Sequence, residues 1–272
     1  MSSDSQARVV ERSGDSDPGR RRATNQDRLL AEAPLFVVAD GMGGHLGGET
    51  AAALAIEVFR EHGALYSETD VVAGLRSVVA EANRTIYAKG QATPEYRGMG
   101  TTLIAALVHD DAVTLAHVGD SRAYRLRGAK LEVLTSDHTY VAELVQMGAL
   151  SAEDAEKHPR ASAVTRALGT REQVEPDVET HRVRDHDVFL LCSDGLTKMV
   201  PEPEIAAIVA AAERLDDASE RLIVAANEKG GDDNITVCLF RVSLPEQTGR
   251  KQTTVIDLSV IARSATAERR VQ

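Results

Sequence analysis

The chain has 272 residues, with 31 Lys and Arg against 42 Asp and Glu, which makes a formal net charge of −11. This acidic balance argues against general nucleic-acid binding, which needs basic patches, and against docking on anionic membranes. The N-terminus has no basic region followed by an apolar stretch, and no run reaches the roughly 18 apolar residues of a membrane span. We therefore expect a cytoplasmic protein.

The first half of the chain predicts strands followed by two helices. Apolar runs and turn residues indicate strands, and apolar positions at helical spacing indicate helices. The predicted segments are a frayed N-terminus at 1–6, a short strand at 7–12, a turn-rich segment at 13–27, a buried strand at 35–39, a glycine-rich loop at 41–48, and helices at 51–59 and about 69–89.

The second half predicts many strands, two helices and a last strand. The predicted strands are 102–108, 112–118, 123–126, 177–183, 187–192 and 235–242, and the predicted helical segments are 138–158, 202–213 and 216–228. Most strand connections are too short for parallel crossovers, so we expect antiparallel sheets with helices on their outer faces, an α+β fold. A domain over 7–243 and a tail over 244–272, whose role we do not assign, complete the organisation.

Aspartates stand at the ends of several apolar runs. Asp40 follows one strand, Asp120 and Asp194 follow two others, and Asp233 precedes the last one. Taken singly, each predicts only a turn. If the strand ends meet at one rim, however, their charges repel unless a cation lies between them. Carboxylate oxygens are the ligands of Mg²⁺ or Mn²⁺, and neither His nor Cys has zinc-site spacing, so the pattern indicates a two-metal centre acting on phosphorus.

Such a site needs a phosphate anchor and a proton donor. Arg22, in the loop before Asp27, suits bidentate binding of phosphate oxygens. His45, in the glycine-rich loop after Asp40, suits protonation of a leaving oxygen. Each of the two also has a plainer interpretation, because Arg22 alone indicates a solvated surface charge and His45 alone a loop histidine without a role.

Six segments together resemble a known family. They are Arg22–Asp27 (RATNQD), Ala39–His45 (ADGMGGH), Gly98–Thr102 (GMGTT), His117–Arg122 (HVGDSR), Cys192–Leu196 (CSDGL) and Gly230–Val237 (GGDDNITV). In this order the chain resembles the bacterial subgroup of the metal-dependent protein phosphatases of type 2C. The resemblance covers about residues 7–242.

The resemblance implies a four-layer sandwich, in which two packed antiparallel β-sheets are flanked by pairs of antiparallel α-helices. It implies a phosphatase that hydrolyses phosphoserine and phosphothreonine by direct attack of a metal-bridging hydroxide, without a covalent phosphoenzyme. Two Mn²⁺ or Mg²⁺ ions are expected, with a weaker third. The implied partners are phosphorylated proteins and a cognate Ser/Thr kinase. We expect a monomer that binds neither nucleic acid nor membrane.

The resemblance also assigns roles to the metal ligands. Asp40 would bridge both metals, and the carbonyl oxygen of Gly41 would bind one of them. Asp194 and Asp233 would complete the other. Asp27 would act mostly through metal-bound water.

The remaining roles concern the third metal and the substrate. Asp120, together with Asp194, would form the weaker third site. Arg22 would hold the phosphate, and His45 would be the general acid. Asn234 would support the phosphate side or orient Asp233.

Two further positions matter under this resemblance. Residues 136–165 match a variable flap beside the site that tunes substrate access. Gln26 stands where many relatives have Glu, and the neutral amide would weaken the binding of one metal.

Three other functions fit the sequence less well. A phosphoprotein-binding module without turnover would be expected to have lost metal carboxylates, and Asp40, Asp194 and Asp233 are all present. A nuclease is disfavoured by the acidic balance and by the low aromatic content. A tyrosine phosphatase would need a Cys-x5-Arg loop, but Lys198 stands six residues after Cys192. Cys192 and Cys238 lie in apolar runs and are expected to be buried free thiols.

Overall fold

The computed structural model describes residues 6–62 and 70–245, apart from the side chains of 44–46 and 156. Residues 1–5 of the expected frayed N-terminus and residues 246–272 of the expected tail lie outside the described part. Among the described helices, none is both long and apolar enough to cross a membrane.

Strands and helices follow one another in nearly the predicted order. The strands are β1 Arg8–Asp17, β2 Arg28–Glu32, β3 Leu35–Ala39, β4 Gly41–Met42, β5 Gly100–Thr101, β6 Leu103–His109, β7 Ala112–Val118, β8 Arg122–Arg127, β9 Lys130–Val133, β10 Asp177–Arg182, β11 Val188–Cys192 and β12 Ile235–Ser243. The helices are α1 Gly44–Glu61, α2 Val71–Ala92, α3 Tyr140–Gln146, α4 Ala152–Glu156, α5 Asp194–Thr197, α6 Glu202–Ala211 and α7 Leu215–Glu228.

Two five-stranded sheets form the centre of the molecule. One has the order β1-β12-β11-β8-β9 and the other the order β10-β7-β6-β3-β2. Neighbouring strands in both sheets are antiparallel. A short third ladder pairs β4 with β5.

Each sheet has apolar side chains on both faces, and this produces three cores and four layers. In β3, Leu35, Val37 and Ala39 pack with α1 and α2, whereas Phe36 and Val38 point to the other sheet. On the outer face of the sheet β1-β12-β11-β8-β9, strands β8, β11 and β12 pack against α5, α6 and α7. Because side chains alternate along a strand, a fully apolar strand is covered on both faces. The expected sandwich of helices, two sheets and helices is confirmed.

Three phenylalanines join the two sheets. The rings of Phe36 and Phe240 stack with centroids 4.1 Å apart, and those of Phe189 and Phe240 stack at 5.0 Å. All three are fully buried. This central layer fixes the two sheets relative to one another and therefore sets the distance between strand ends that belong to different sheets.

Strand β1 is longer than predicted. The segment 13–17 was expected to be a turn, but it pairs with β12 residue by residue as far as Asp17 opposite Ile235. Backbone pairing to the neighbouring strand outweighs the local preference of Ser, Gly and Asp for turns. Strands β2 and β9 also pair at sheet edges and were not predicted.

Helix α1 begins earlier than predicted, inside the expected glycine-rich loop. Gly41 lies so close to the helix that a Cβ placed on it would be 2.2 Å from the carbonyl oxygen of Gly48. A Cβ on Gly48 would in turn be 2.7 Å from the backbone of Gly41. These glycines therefore allow close packing of β4 on α1, and Gly48 lies within the helix.

Candidate active site

The ends of strands from both sheets meet at one cavity of about 700 Å³, called here the site cavity. Asp40 follows β3, Asp120 follows β7, Asp194 follows β11, and Asp233 stands just before β12. The charged residues that line the cavity are Arg22, Asp40, Asp120, Asp194, Lys198 and Asp233. The structure thus brings the predicted carboxylates together, because the stacked sheets present these strand ends at the same rim.

The Asp40 backbone is held by two threonines. Its N–H donates to Oγ1 of Thr102 at 3.1 Å, and its carbonyl oxygen accepts from Oγ1 of Thr101 at 2.9 Å. Thr102 Oγ1 also hydrogen-bonds Oγ of Ser121 at 2.7 Å. These contacts link the loops after β3 and β7, so Asp40 is fixed by backbone and hydroxyl contacts that leave its carboxylate facing the cavity.

The electrostatics of Asp40 reflect the crowding of negative charge. Burial raises the pKa of Asp40 well above its usual range, and the charge of Asp27 raises it further. The charges of Asp194, Asp120 and Asp233 act in the same direction. The ionised carboxylate is thus disfavoured unless positive charge is present.

Asp27 lies beneath the cavity and is only 1% exposed. Its Oδ2 accepts hydrogen bonds of 2.7 Å from both Ser193 and Thr236. Burial raises its pKa to about 6, although these two hydrogen bonds oppose the shift. Its Oδ1 is buried and has no hydrogen-bond partner.

Asp120 is buried at the end of β7. Burial raises its pKa to about 7, and the negative charge of Asp194 adds to the shift. The Lys198 ammonium acts in the opposite direction. Asp120 therefore interacts electrostatically with Asp194, at the end of β11, and with Lys198, which lines the same cavity.

Asp194 begins helix α5 directly after β11. Its Oδ2 forms an ion pair with Lys198, whereas Oδ1 is buried without a hydrogen-bond partner. Gly195 comes next, and a Cβ there would be 2.0 Å from the carbonyl oxygen of Asn234. Glycine is required at this close approach, which places Asp194 beside the start of β12.

Arg22 and Asp233 face each other at the mouth of the cavity. Nη2 of Arg22 donates to Oδ2 of Asp233 at 2.8 Å, and the Arg22 side chain is 54% exposed. Oδ1 of Asp233 accepts from the backbone N–H of Asn234 at 2.9 Å. The predicted phosphate anchor therefore lies next to a predicted metal ligand.

Asn234 connects this loop to the start of β12. Its Oδ1 accepts from the backbone N–H of Gln26 at 2.8 Å, and its Nδ2 donates to the carbonyl oxygens of Pro18 and Thr24 at 3.0 and 2.9 Å. All three hydrogen bonds of this side chain hold the segment that carries Arg22. Asn234 is a positioning residue for this loop.

Of the predicted site residues Gly41 and His45, the structure describes the first fully and the second only by its backbone. Gly41 lines the cavity and pairs with Thr101 in the short β4–β5 ladder. His45 lies in the first turn of α1, and its side chain is outside the described part. From the expected flap, Ser162 and Val164 also line the cavity.

The donor set fits divalent cations. In the described part of the chain, no three His, Cys, Asp or Glu side chains already close around a single point. The carboxylates instead share a cavity in which Arg22 and Lys198 supply the positive charge. The buried, unpartnered oxygens of Asp27 and Asp194 leave acceptor capacity that a cation would satisfy, and oxygen ligands suit Mg²⁺ and Mn²⁺.

Sequence reasoning missed five supporting residues. Thr101 and Thr102 hold the backbone of Asp40, and Ser193 and Thr236 hold the carboxylate of Asp27. Lys198 holds Asp194. Only the last had a local signal, because residues four apart on a helix are neighbours. The other contacts join segments far apart in the chain.

Comparisons with known proteins place the chain in a family. The sequence model of the protein phosphatase 2C family matches residues 19–229. The serine/threonine phosphatase stp of Listeria monocytogenes is 39% identical over 241 residues, which cover 85% of this chain and 96% of that protein. The protein phosphatase PhpP of Streptococcus pneumoniae is 39% identical over 243 residues, with the same coverage of both chains.

Solved structures agree. The serine/threonine phosphatase PstP/Ppp of Mycobacterium tuberculosis has a TM-score of 0.81 and 37% identity, and it covers 87% of this chain and 98% of its own. The catalytic domain of PstP in complex with two manganese ions has a TM-score of 0.79 and 36% identity, with coverage of 88% and 99%. The chain therefore belongs to the protein phosphatase 2C family and is a metal-dependent serine/threonine protein phosphatase.

Proposed function

We propose that the chain hydrolyses phosphoserine and phosphothreonine by direct attack of water on phosphorus, without a covalent phosphoenzyme. The observation that carries this proposal is the cavity that four carboxylates and two cationic side chains line together. The neighbouring thiol and hydroxyl do not suit nucleophilic attack. Cys192 is buried and burial raises its pKa to about 12, and Ser193 is buried with its hydroxyl donated to Asp27.

Two divalent cations are proposed to bind at this cavity. Asp40, the carbonyl oxygen of Gly41, Asp194 and Asp233 would hold them. Asp27 would act mostly through metal-bound water, since its Oδ2 already accepts two hydrogen bonds. When bound, the cations would lower the pKa of water and neutralise charge on the phosphoryl oxygens.

Arg22 is proposed to bind the substrate phosphate. Its guanidinium is half exposed at the cavity mouth and already donates to an anionic oxygen of Asp233. A phosphoryl group offers the same kind of acceptor in bidentate geometry. Asn234 supports this role because it holds the loop that carries Arg22.

His45 is proposed to protonate the leaving alkoxide. The position in the first turn of α1, three residues after the cavity-lining Met42, supports this role. A histidine is the side chain whose ordinary pKa suits proton donation near neutral pH.

The biological setting is proposed on the basis of the resemblance. The substrates would be phosphorylated proteins, and the enzyme would oppose a Ser/Thr kinase. A catalytic domain over 7–243, a cytoplasmic location and a monomeric state remain predictions from the sequence.

Phosphate release from a phosphothreonine peptide tests the proposal. The enzyme is incubated with Mn²⁺, with Mg²⁺ or with chelator, and folding is verified by circular dichroism. We expect release only with a divalent cation, in a single phase without a burst of phosphoenzyme. Well-folded protein that releases no phosphate with either metal would contradict the proposal, and trapping of a phosphoenzyme would contradict direct attack by water.

A further inference from the structure

Lys198 is a cation built into the site cavity. It stands four residues after Asp194, and its backbone N–H donates to the Asp194 carbonyl oxygen at 2.9 Å, closing the single turn of α5. The two side chains form an ion pair on that turn. Residues at this spacing are neighbours on a helix, so the pairing is set by local geometry.

The two carboxylate oxygens of Asp194 have different surroundings. Oδ2 is paired with the Lys198 ammonium, whereas Oδ1 is buried and unpartnered. The ammonium therefore occupies one side of Asp194 and leaves the other side available for a ligand. Lys198 and Asp120 line the same cavity, and Asp120 stands just after the end of β7.

We propose that the Lys198 ammonium provides the positive charge between Asp120 and Asp194 and thereby keeps a divalent ion out of this part of the cavity. The inference rests on the proposed two-metal function and adds to it. Under this proposal the wild-type site binds two ions, and the third ion expected from the family resemblance is replaced by a side chain of the chain itself.

Electrostatics support this division of the cavity. The ammonium acts to lower the pKa of Asp120. Burial acts to lower the pKa of Lys198, but the charges of Asp194, Asp120 and Asp233 outweigh it and raise that pKa, so the ammonium stays charged. A divalent ion between Asp120 and Asp194 would meet this positive charge at short range in a partly buried site, where repulsion is weakly screened. Because Lys198 is attached to the chain, its charge is present at every metal concentration.

Isothermal titration with Mn²⁺ tests the proposal on the full-length chain. The variants are Lys198→Gln, which removes the charge, and Lys198→Arg, which keeps it. Lys229→Gln is the matched control, since Lys229 pairs with Glu204 at 2.7 Å and is 39% exposed, as Lys198 is. Phosphate release by the wild type is measured in parallel.

We expect two Mn²⁺ ions in the wild type, in Lys198→Arg and in Lys229→Gln, and a third in Lys198→Gln. The affinity for that additional ion should rise by about 10-fold or more over the wild type when the positive charge is removed. The metal-free Lys198→Gln variant should also melt at a lower temperature than the wild type, because Asp194 loses its counterion.

The possible failures are distinct. A wild type that hydrolyses peptide but binds a third ion as tightly as Lys198→Gln overturns this inference alone. The same holds if Lys198→Gln still binds two ions. A wild type that binds no Mn²⁺ and releases no phosphate overturns the proposed function and this inference together. If Lys198→Gln does not fold, Lys198→Met takes its place, because its stem packs similarly and is neutral.

Discussion

The hydroxyl of Ser193 donates a 2.7 Å hydrogen bond to Oδ2 of Asp27, a residue 166 positions earlier in the chain. The residue directly before the proposed metal ligand Asp194 thus holds the buried carboxylate of Asp27. Ser193 Oγ also accepts from the backbone N–H of Thr236 at 3.0 Å. One buried serine therefore joins the N-terminal loop, the end of β11 and the start of β12.

Replacing Ser193 by alanine should destabilise the fold. The change removes a donor to a buried carboxylate and leaves the Thr236 N–H without its acceptor, so we expect a loss of about 1 to 3 kcal/mol in the free energy of unfolding. Urea unfolding without metal measures it. Ser243→Ala is the control, since that hydroxyl contacts the Leu244 carbonyl oxygen at 3.5 Å and the exposed Asp185 carboxylate rather than a buried one. Equal losses in both variants would contradict the role of Ser193.

The metal-free protein should lose stability as pH rises, in part through Asp120. Its folded-state pKa is about 7, above the ordinary 3.8, so between these values the folded state binds the proton that the unfolded state has released. Unfolding free energy therefore falls as pH rises through this window. Asp120→Asn removes this contribution, so its stability should fall less than that of the wild type between pH of about 4 and about 8.

Chemical unfolding in chelator at several pH values measures this difference. Burial lowers the pKa of His117 to about 4, which gives the opposite sign, but that contribution is common to both proteins and cancels in the comparison. Parallel pH profiles for wild type and Asp120→Asn would show that Asp120 does not titrate in this way.

Asp194→Asn should abolish Mn²⁺-dependent turnover while the metal-free fold keeps or gains thermal stability. The amide removes one negative charge from the cavity, which relieves repulsion with Asp40 and Asp120 and offsets the weaker contact with Lys198. Thermal unfolding with and without Mn²⁺ should show that the metal-induced stabilisation is reduced. Glu204→Gln, which removes a carboxylate from the Lys229 pair, should keep full activity. Wild-type turnover in Asp194→Asn would refute the assignment of this ligand.

Arg22→Lys should lower kcat/KM although the substitution keeps the positive charge. A lysine lacks the planar fork that binds two phosphoryl oxygens, so we expect kcat/KM for a phosphothreonine peptide to fall by about 10-fold. Arg21→Lys is the matched control, because Arg21 is 74% exposed and lies 3.5 Å from Asp232. If both variants keep wild-type kcat/KM, Arg22 does not bind the phosphate.

His45→Ala should lower kcat most for substrates with a poor leaving group. A serine or threonine alkoxide needs a proton as it leaves, whereas nitrophenolate is stable without one. We expect a clear loss of kcat on a phosphothreonine peptide and a smaller loss on nitrophenyl phosphate, measured by steady-state kinetics. Equal losses on both substrates would argue against proton donation by His45.

Much of the fold was predictable because apolar residues recur at short, regular spacings along buried strands and helices. The run Leu35–Ala39 is apolar at every position, which predicts burial on both faces, and the structure covers it on both sides. The sequence predicts that the first strand ends at residue 12, because the residues that follow are polar. Only pairing with β12 extends this strand to Asp17. The sequence predicts that Gly48 lies in a loop, whereas it lies in α1. No feature of the neighbouring residues indicates the close contact between Gly48 and the backbone of Gly41.

The sequence by itself determined the family, because its motifs form recognisable segments. It also determined the set of carboxylates, since Asp40, Asp120 and Asp194 follow apolar strands and Asp233 precedes one. Only the tertiary structure decided what surrounds them. Ser193 and Thr236 reach Asp27, and Asn234 holds the Arg22 loop, across separations of more than 160 residues. Such contacts depend on how two sheets stack and which strand ends coincide, and no pattern of a few residues carries that information.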